Sequence, residues 1–275
     1  MSDNLQIDTE STSQSIDLSA IQANPLSAED EAVLMTFLKM PLESADAVFD
    51  KFSEIPGAIL RRGDGLERFL FVEGTRDNRV LLVAHADTVW DIYYYGEDDG
   101  YRAEREIVRE NGIVRNLRGG LGADDRAGCA IVWLLRDLGH SLLITDGEEH
   151  GQIGSCWLMD KNADIANKIN ADHQFAVQFD RKNGQDFKCY DVGTDKFRCY
   201  VQEATGYSEP DRRSCTDIVT LCRDIPGVNL SVGYRNEHRP TEHLLLAEWA
   251  NTLALCREWL ARPELPKFDL NCPAA

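Results

Sequence analysis

Val80-Leu81-Leu82-Val83-Ala84-His85-Ala86-Asp87-Thr88 decides how this chain is read. Five apolar residues run without alternation, so a strand here is buried on both faces, as in a parallel sheet covered by helices on each side. The run then breaks into His85 and Asp87. On an extended segment these two side chains point the same way, so Asp87 can orient His85 through the second imidazole nitrogen. A buried strand that ends in polar chemistry fits an open α/β sheet, where ligands bind beyond the carboxyl ends of strands.

Outward from this stretch the pattern repeats. Short apolar segments at 58–61, 67–72, 142–145, 175–179, 187–190 and 229–232 read as strands. Asn111-Gly112 is a hairpin turn between 106–108 and 113–115. Ser27 with Asp30 resembles a capping box opening a helix through about Lys39, which Pro41 ends, and a second helix is expected over 43–52. Helical spacing returns at 127–138, stopped by Gly139, at 194–204 before Gly206, at 217–223, and over a long amphipathic stretch 241–260. Strands alternating with helices predict a three-layer α/β/α sandwich around a central mixed, largely parallel sheet. Residues 1–26, rich in Ser, Asp, Gln and Asn, read as a disordered acidic tail. Residues 27–265 read as one catalytic domain and 266–275 as a C-terminal tail.

Composition narrows the function. The 275 residues are 43% hydrophobic and 28% charged, ordinary for a soluble globular protein. No apolar run approaches the ~20 residues of a spanning helix, which argues against a membrane protein. The 47 acidic and 29 basic residues leave a net charge of -18, the wrong sign for nucleic acid. Solubility explains most of the acid excess; cation binding is the sharper explanation for part of it. The eight cysteines include no C-x-x-C pair, and Cys129 and Cys256 lie in apolar surroundings, so they read as buried hydrophobes. The N-terminus has neither the apolar core of a signal peptide nor the arginines of a transit peptide, and a cytoplasmic location is expected.

Five polar clusters follow the apolar segments or open a helix. They are His85-Ala86-Asp87, Gly122-Ala123-Asp124-Asp125, Glu148-Glu149-His150-Gly151, Asp180, and His238 through Glu242. Two zinc ions about 3.5–4 Å apart form a clamp that activates water and polarises a carbonyl. They need imidazole and carboxylate ligands, one carboxylate bridging the two cations, and a separate carboxylate free to take a proton. His85, Asp124, Glu149, Asp180 and His238 can be the ligands, and Glu148 the base. Side chains of the adjacent Glu148 and Glu149 diverge, so one can bind metal while the other faces substrate.

Blander readings stand beside these. His85 alone reads as a satisfied core histidine, and Glu148-Glu149 as a solvated turn. Asp172 and Asp186 compete with Asp180, but only Asp180 directly ends an apolar strand. His243 competes with His238, but falls inside the expected C-terminal helix. His140 and His173 read as surface or loop residues, and His150 as a support for the site at best. Gly119-Gly120-Leu121-Gly122 suggests a phosphate loop, yet Asp124-Asp125 would face the phosphate. The acidic stretch 96–100 reads as an exposed loop tip rather than a calcium site.

Taken in order, His85-x-Asp87, Gly122-Ala123-Asp124-Asp125-x-Ala127-Gly128, Glu148-Glu149-x-Gly151 and His238-x-x-x-Glu242 resemble the co-catalytic di-zinc exopeptidase superfamily of aminopeptidases, dipeptidases, glutamate carboxypeptidases and related amidohydrolases. Cys215-Thr216-Asp217 is similar to the segment that precedes the last strand of that family. The resemblance spans about residues 55–260. It implies one metal on His85, Asp124 and Asp180, a second on Asp124, Glu149 and His238, Asp87 supporting His85, Glu148 as general base, and a cis peptide after Asp124. The 39 positions from His85 to Asp124 leave room for a hairpin only. The 58 from Asp180 to His238 are too few for a lid or dimerisation domain, which implies a minimal single-domain member. Ser214-Cys215 stands where the family usually has Gly-Gly.

The resulting expectation is a zinc-dependent exopeptidase of aminopeptidase type with two divalent metal ions. Its substrate would be a small peptide or an N-acyl amino acid. The alternatives are a non-peptide amidohydrolase, a single-zinc cyclising transferase on the same fold, and a catalytically silent metal-binding module. The sequence leaves the oligomeric state open.

Overall fold

The structure, a computed structural model, describes residues 26–90, 105–210 and 215–270. The expected N-terminal tail, apart from Leu26, the loop tip 96–100, Ser214 and the last five positions lie outside the described residues.

Seven strands form the main sheet: β1 (Ile59–Arg62), β2 (Arg68–Val72), β3 (Leu81–His85), β6 (Ser141–Thr145), β7 (Ala176–Arg181), β8 (Phe187–Lys188) and β9 (Gly227–Ser231). Their order is β1-β2-β6-β3-β7-β9-β8. The inner four, β6, β3, β7 and β9, run parallel, while β1, β2 and β8 pair antiparallel at the edges. The sheet is therefore mixed with a parallel centre. All five residues of β3 are buried, as the unbroken apolar run requires.

Alternate residues feed two cores. Leu82, Ala84, Leu142, Ile144 and Leu70 face helices on one side; Leu81, Val83, Leu143, Phe69 and Phe71 face the other. The first face packs on α1 (Ala28–Leu38), α3 (Ala123–Leu135), α6 (Asp195–Thr205) and α8 (Leu246–Leu260). The second packs on α4 (Ile153–Lys161), α5 (Ala163–Asp172) and α7 (Asp217–Leu221). Each fully buried aliphatic or aromatic side chain contributes about 1.5–3 kcal/mol, so both faces hold the three layers together.

Local signals explain many of the boundaries. Ser27 caps α1 by accepting the Asp30 N–H at 3.0 Å. Helix α2 (Asp46–Ser53) follows three residues later than its sequence pattern suggests. Thr194 caps α6 through the Phe197 N–H, and Gly206 closes it in the left-handed conformation. Asn111 and Gly112, at φ 51° and 77°, turn the hairpin of β4 (Ile107–Glu110) and β5 (Ile113–Asn116).

Four features depart from expectation. Helices α4 and α5 are not among the expected elements; α5 buries one face through Ile165, Ala166, Ile169 and Asn170, and Asn162 separates the two helices. The C-terminal helix begins at Leu246, not Thr241. His243–Leu245 instead forms β11, which pairs with β5 and with β10 (Tyr234–Arg235). These strands make a small second sheet, β10-β11-β5-β4, that the sequence did not announce. His140 and His173 lie in the connections before β6 and β7, as loop residues, but are buried at 2% and 0% exposure rather than at the surface. The segment after α8 also packs down: Phe268 stacks edge-on against Phe197 and the Phe175 ring.

Among the described residues no helix is long and apolar enough to cross a membrane. The described cysteines are free thiols, with Cys129 and Cys256 buried in the core.

Candidate metal centre

The carboxyl ends of β3, β6 and β7 converge with the start of α3 and with the loop leading into β11. Every residue singled out from the sequence as a ligand or base arrives there. His85 ends β3 and is fully buried. Its Nδ1 lies 3.2 Å from Asp87 Oδ1, which fixes the ring and turns Nε2 toward Asp124 Oδ1 at 3.2 Å. Asp180 Oδ1 is 3.5 Å from the same Nε2. Across the cavity His238 Nε2 stands 3.2 Å from Asp124 Oδ2 and 2.9 Å from Glu149 Oε1. The two oxygens of one carboxylate, Asp124, thus face two different histidines.

Each side chain is positioned by a local device. Gly122, at φ 69°, turns the chain into α3, and the Asp124–Asp125 peptide is cis. Asp125 points away from the cavity. Its Oδ2 accepts the His85 N–H at 3.1 Å and its Oδ1 the Gly128 N–H at 3.0 Å. A Cβ at Gly128 would lie 2.1 Å from the Phe179 carbonyl oxygen and 2.2 Å from Asp125 Oδ1, so only glycine fits. Gly147 and Gly151, both at positive φ, let the chain turn tightly after β6. Asp87 clamps that turn, since its two oxygens accept the N–H groups of Glu148 and Glu149 at 3.1 Å each. Asp87 therefore holds both His85 and the two glutamates.

The contacts that support the cluster could not be read from the sequence. Asp180 accepts hydrogen bonds from Thr216 Oγ1 at 2.7 Å, Gln178 Nε2 at 3.2 Å and the Tyr234 hydroxyl at 3.2 Å. Its backbone N–H donates to Asn229 Oδ1 at 2.9 Å. Buried Glu242 accepts the N–H groups of Leu121, Gly122 and Asp124 at 3.0, 2.7 and 3.0 Å. Arg105 Nη2 donates to the Leu121 carbonyl on the same turn at 2.6 Å. Arg126, fully buried, donates to the carbonyls of Ala86, Pro41 and Ser44. The His238-x-x-x-Glu242 spacing was legible, but the three-point grip of Glu242 was not. His243, the rival to His238, sits apart from the cluster with Nδ1 on the Thr241 carbonyl oxygen. The rivals of Asp180 are likewise engaged elsewhere, Asp172 with Arg79 and Asp186 with Arg181.

Burial and close pairing shift the proton affinities of these groups. Burial pushes Glu148 well up, with Asp180 adding to it. Burial and Asp124 carry Glu149 to about 7. Contacts with Asp124 and Glu149 raise His238 to about 11. His85 is raised too, because Asp124 and Asp180 outweigh its desolvation. Desolvation alone would raise Asp124, yet His238 and His85 hold it well below the ordinary carboxylate range. Glu149 Oε1 is buried and has no hydrogen bond of good geometry. His85, Asp124 and Glu149 offer ligand atoms within 4.8 Å of one another, as do His85, Asp125 and Asp180. Since both Asp125 oxygens already accept N–H bonds, Asp124 is the better donor. An imidazole and carboxylate set of this kind fits a divalent cation.

Comparison with family models and with curated proteins finds no match. Solved structures do match. Aminopeptidase PepT from Bacillus cereus aligns at 14% identity over 84% of this chain and 98% of that one, with a TM-score of 0.58. A tripeptidase from Staphylococcus aureus aligns at 11% identity over 85% and 98%, with a TM-score of 0.59. An aminopeptidase from the archaeon Desulfurococcus kamchatkensis aligns at 13% identity over 84% and 97%, with a TM-score of 0.56. At such identities the likeness is one of fold: this chain has the α/β fold of those peptidases.

Proposed function

We propose that this chain is a metal-dependent exopeptidase of aminopeptidase type. His85, Asp124 and Asp180 would hold one divalent ion, and Asp124, Glu149 and His238 the other, with zinc as the metal. Asp124 carries this reading, because its two oxygens face His85 and His238 at 3.2 Å each, the disposition of a bridging carboxylate. A pair of divalent ions there would supply Lewis acidity toward an amide carbonyl and lower the pKa of water.

The remaining work falls to the chain. Glu148 lines the cavity beside Glu149 and Asp180 but is not needed as a ligand. Burial raises its proton affinity, which suits a group that takes a proton from water and passes it to the leaving amine. Asp87 holds Glu148 and Glu149 in register with His85 through one carboxylate. Glu242 fixes the turn from which Asp124 projects. Tyr234 and Thr216 orient Asp180.

Glu148→Gln tests the assignment. It keeps shape and removes the base, so peptide turnover should fall by about 100-fold or more while metal content, measured by elemental analysis, stays at the wild-type level. A loss of metal with Glu148→Gln but not with Glu149→Gln would swap the two roles. A metal-loaded wild type that cleaves no aminoacyl, acyl-amino-acid or dipeptide substrate would remove the enzyme reading altogether.

A further inference from the structure

The charges lining the cavity separate the two ends of a peptide. The space measures about 180 Å³, and its wall carries Asp124, Glu148, Glu149 and Asp180. In the reading above Asp124, Glu149 and Asp180 hold metal, which leaves Glu148 as the unligated acid of this wall. A substrate carboxylate seated away from the metals needs a cation of the chain's own. Among the described lining residues the cations other than histidine are Arg181 and Lys182. The Arg181 side chain is 6% exposed and committed to Asp186, with Nε 2.7 Å from Oδ1. Lys182 is different. Its side chain is 37% exposed, it stands at the mouth, and it pairs with Glu237, itself 22% exposed. Both also line the adjoining surface depression with Arg239.

We propose that Lys182 recognises the free carboxylate of a dipeptide, and that Glu237 holds the Lys182 ammonium in place until substrate arrives. The proposal rests on the exopeptidase reading and adds a substrate class to it. The exchange is balanced in charge: the substrate carboxylate replaces Glu237 on Lys182, and Glu237, already part-exposed, turns to water. In a dipeptide the carboxylate lies one residue beyond the scissile amide, within reach of a group adjoining Asp180 and Arg181. Longer peptides place that charge farther out and forgo the contact.

The test compares leucylglycine with its C-terminal amide as substrates of the metal-loaded, full-length protein. In the wild type kcat/KM should favour the free acid by about 10-fold or more, the scale of one charge-assisted contact, about 1.4 kcal/mol. In Lys182→Met the ratio should fall to about 1. Reading a ratio cancels any general damage to folding or metal content. Lys182→Met combined with Glu237→Gln restores the net charge of the mouth and should still give a ratio near 1. A wild-type ratio near 1, or a ratio retained in the single variant, overturns the proposal. Recovery of the ratio in the double variant also overturns it, because the net field rather than contact would then be acting. Hydrolysis of neither substrate by the wild type would instead bring down the exopeptidase reading, and this proposal with it.

Discussion

The two rims of the central sheet use the same residue in opposite ways. At the carboxyl rim, His85 and His238 face carboxylates, and their proton affinity rises. At the amino rim, His140 precedes β6 and His173 precedes β7, and burial lowers each to about 4. There the partners are backbone groups: His140 Nδ1 accepts the Val80 N–H at 3.2 Å and Nε2 donates to the Leu260 carbonyl at 2.9 Å. His173 Nδ1 donates to the Ile169 carbonyl at 2.9 Å. One rim is built to hold positive charge and the other to exclude it. The difference lies in the partners each rim presents. The carboxyl rim carries Asp124, Glu149 and Asp180; the amino rim presents peptide groups of Val80, Ile169 and Leu260.

The strongest blow to this contrast would come at Asp124. Asp124→Asn should cut peptide turnover by more than about 1000-fold, beyond the 10–100-fold typical of residues that only support a ligand. If the two-ion proposal holds, elemental analysis should show binding at both sites weakened, whereas His238→Ala should weaken one. If Asp124→Asn binds metal as the wild type does, the carboxyl rim is only a buried salt-bridge network.

The amino rim is tested by acid. The unfolded chain binds a proton on each histidine below pH ~6.5, while the folded chain resists until about 4. Stability from neutral burial is therefore complete above pH ~6.5 and is lost as pH falls toward 4. Between pH 7.5 and 5.0 the wild type should lose about 2 kcal/mol per histidine that His140→Asn and His173→Asn do not lose, as read by urea unfolding. Equal slopes in wild type and variants would refute the claim that this rim excludes charge.

A smaller effect sharpens the picture. Glu242→Gln disturbs the grip on Leu121, Gly122 and Asp124 without touching a ligand side chain. It should weaken metal affinity about 10-fold in a chelator competition. Unchanged affinity would show that Asp124 is held by α3 alone.

Much of the parallel centre could be read from the sequence, because a strand buried on both faces must be continuously apolar. The ligand-type residues could be read too, since each follows such a strand or sits in a glycine turn. What could not be read is what holds them. Tyr234 reaches Asp180 across 54 positions and nothing local marks it; Thr216 stands in the Cys215-Thr216-Asp217 segment, but its contact with Asp180, 36 positions away, cannot be read from it. His243 misled for a related reason. Thr241 to Leu245 continues the apolar pattern of α8, but pairing with β5 at His243–Arg115 draws the segment into a strand. His140 and His173 are loop residues, but their burial is not marked locally; His140 meets the backbone of Val80 and Leu260, 60 and 120 positions away.

The small second sheet has a consequence for biosynthesis. Strand β5, formed from residues 113–116, waits for β11 at 243–245 before it gains its inner partner, and the loop carrying His238 and Glu242 enters with β11. A ribosome therefore extrudes His85, Asp124, Glu149 and Asp180 well before the residues that complete the site. Any nascent chain stalled before His238 holds the acids without their second histidine. The second histidine and the Glu242 grip on the turn bearing Asp124 thus arrive with β11, so the carboxyl rim closes late in synthesis.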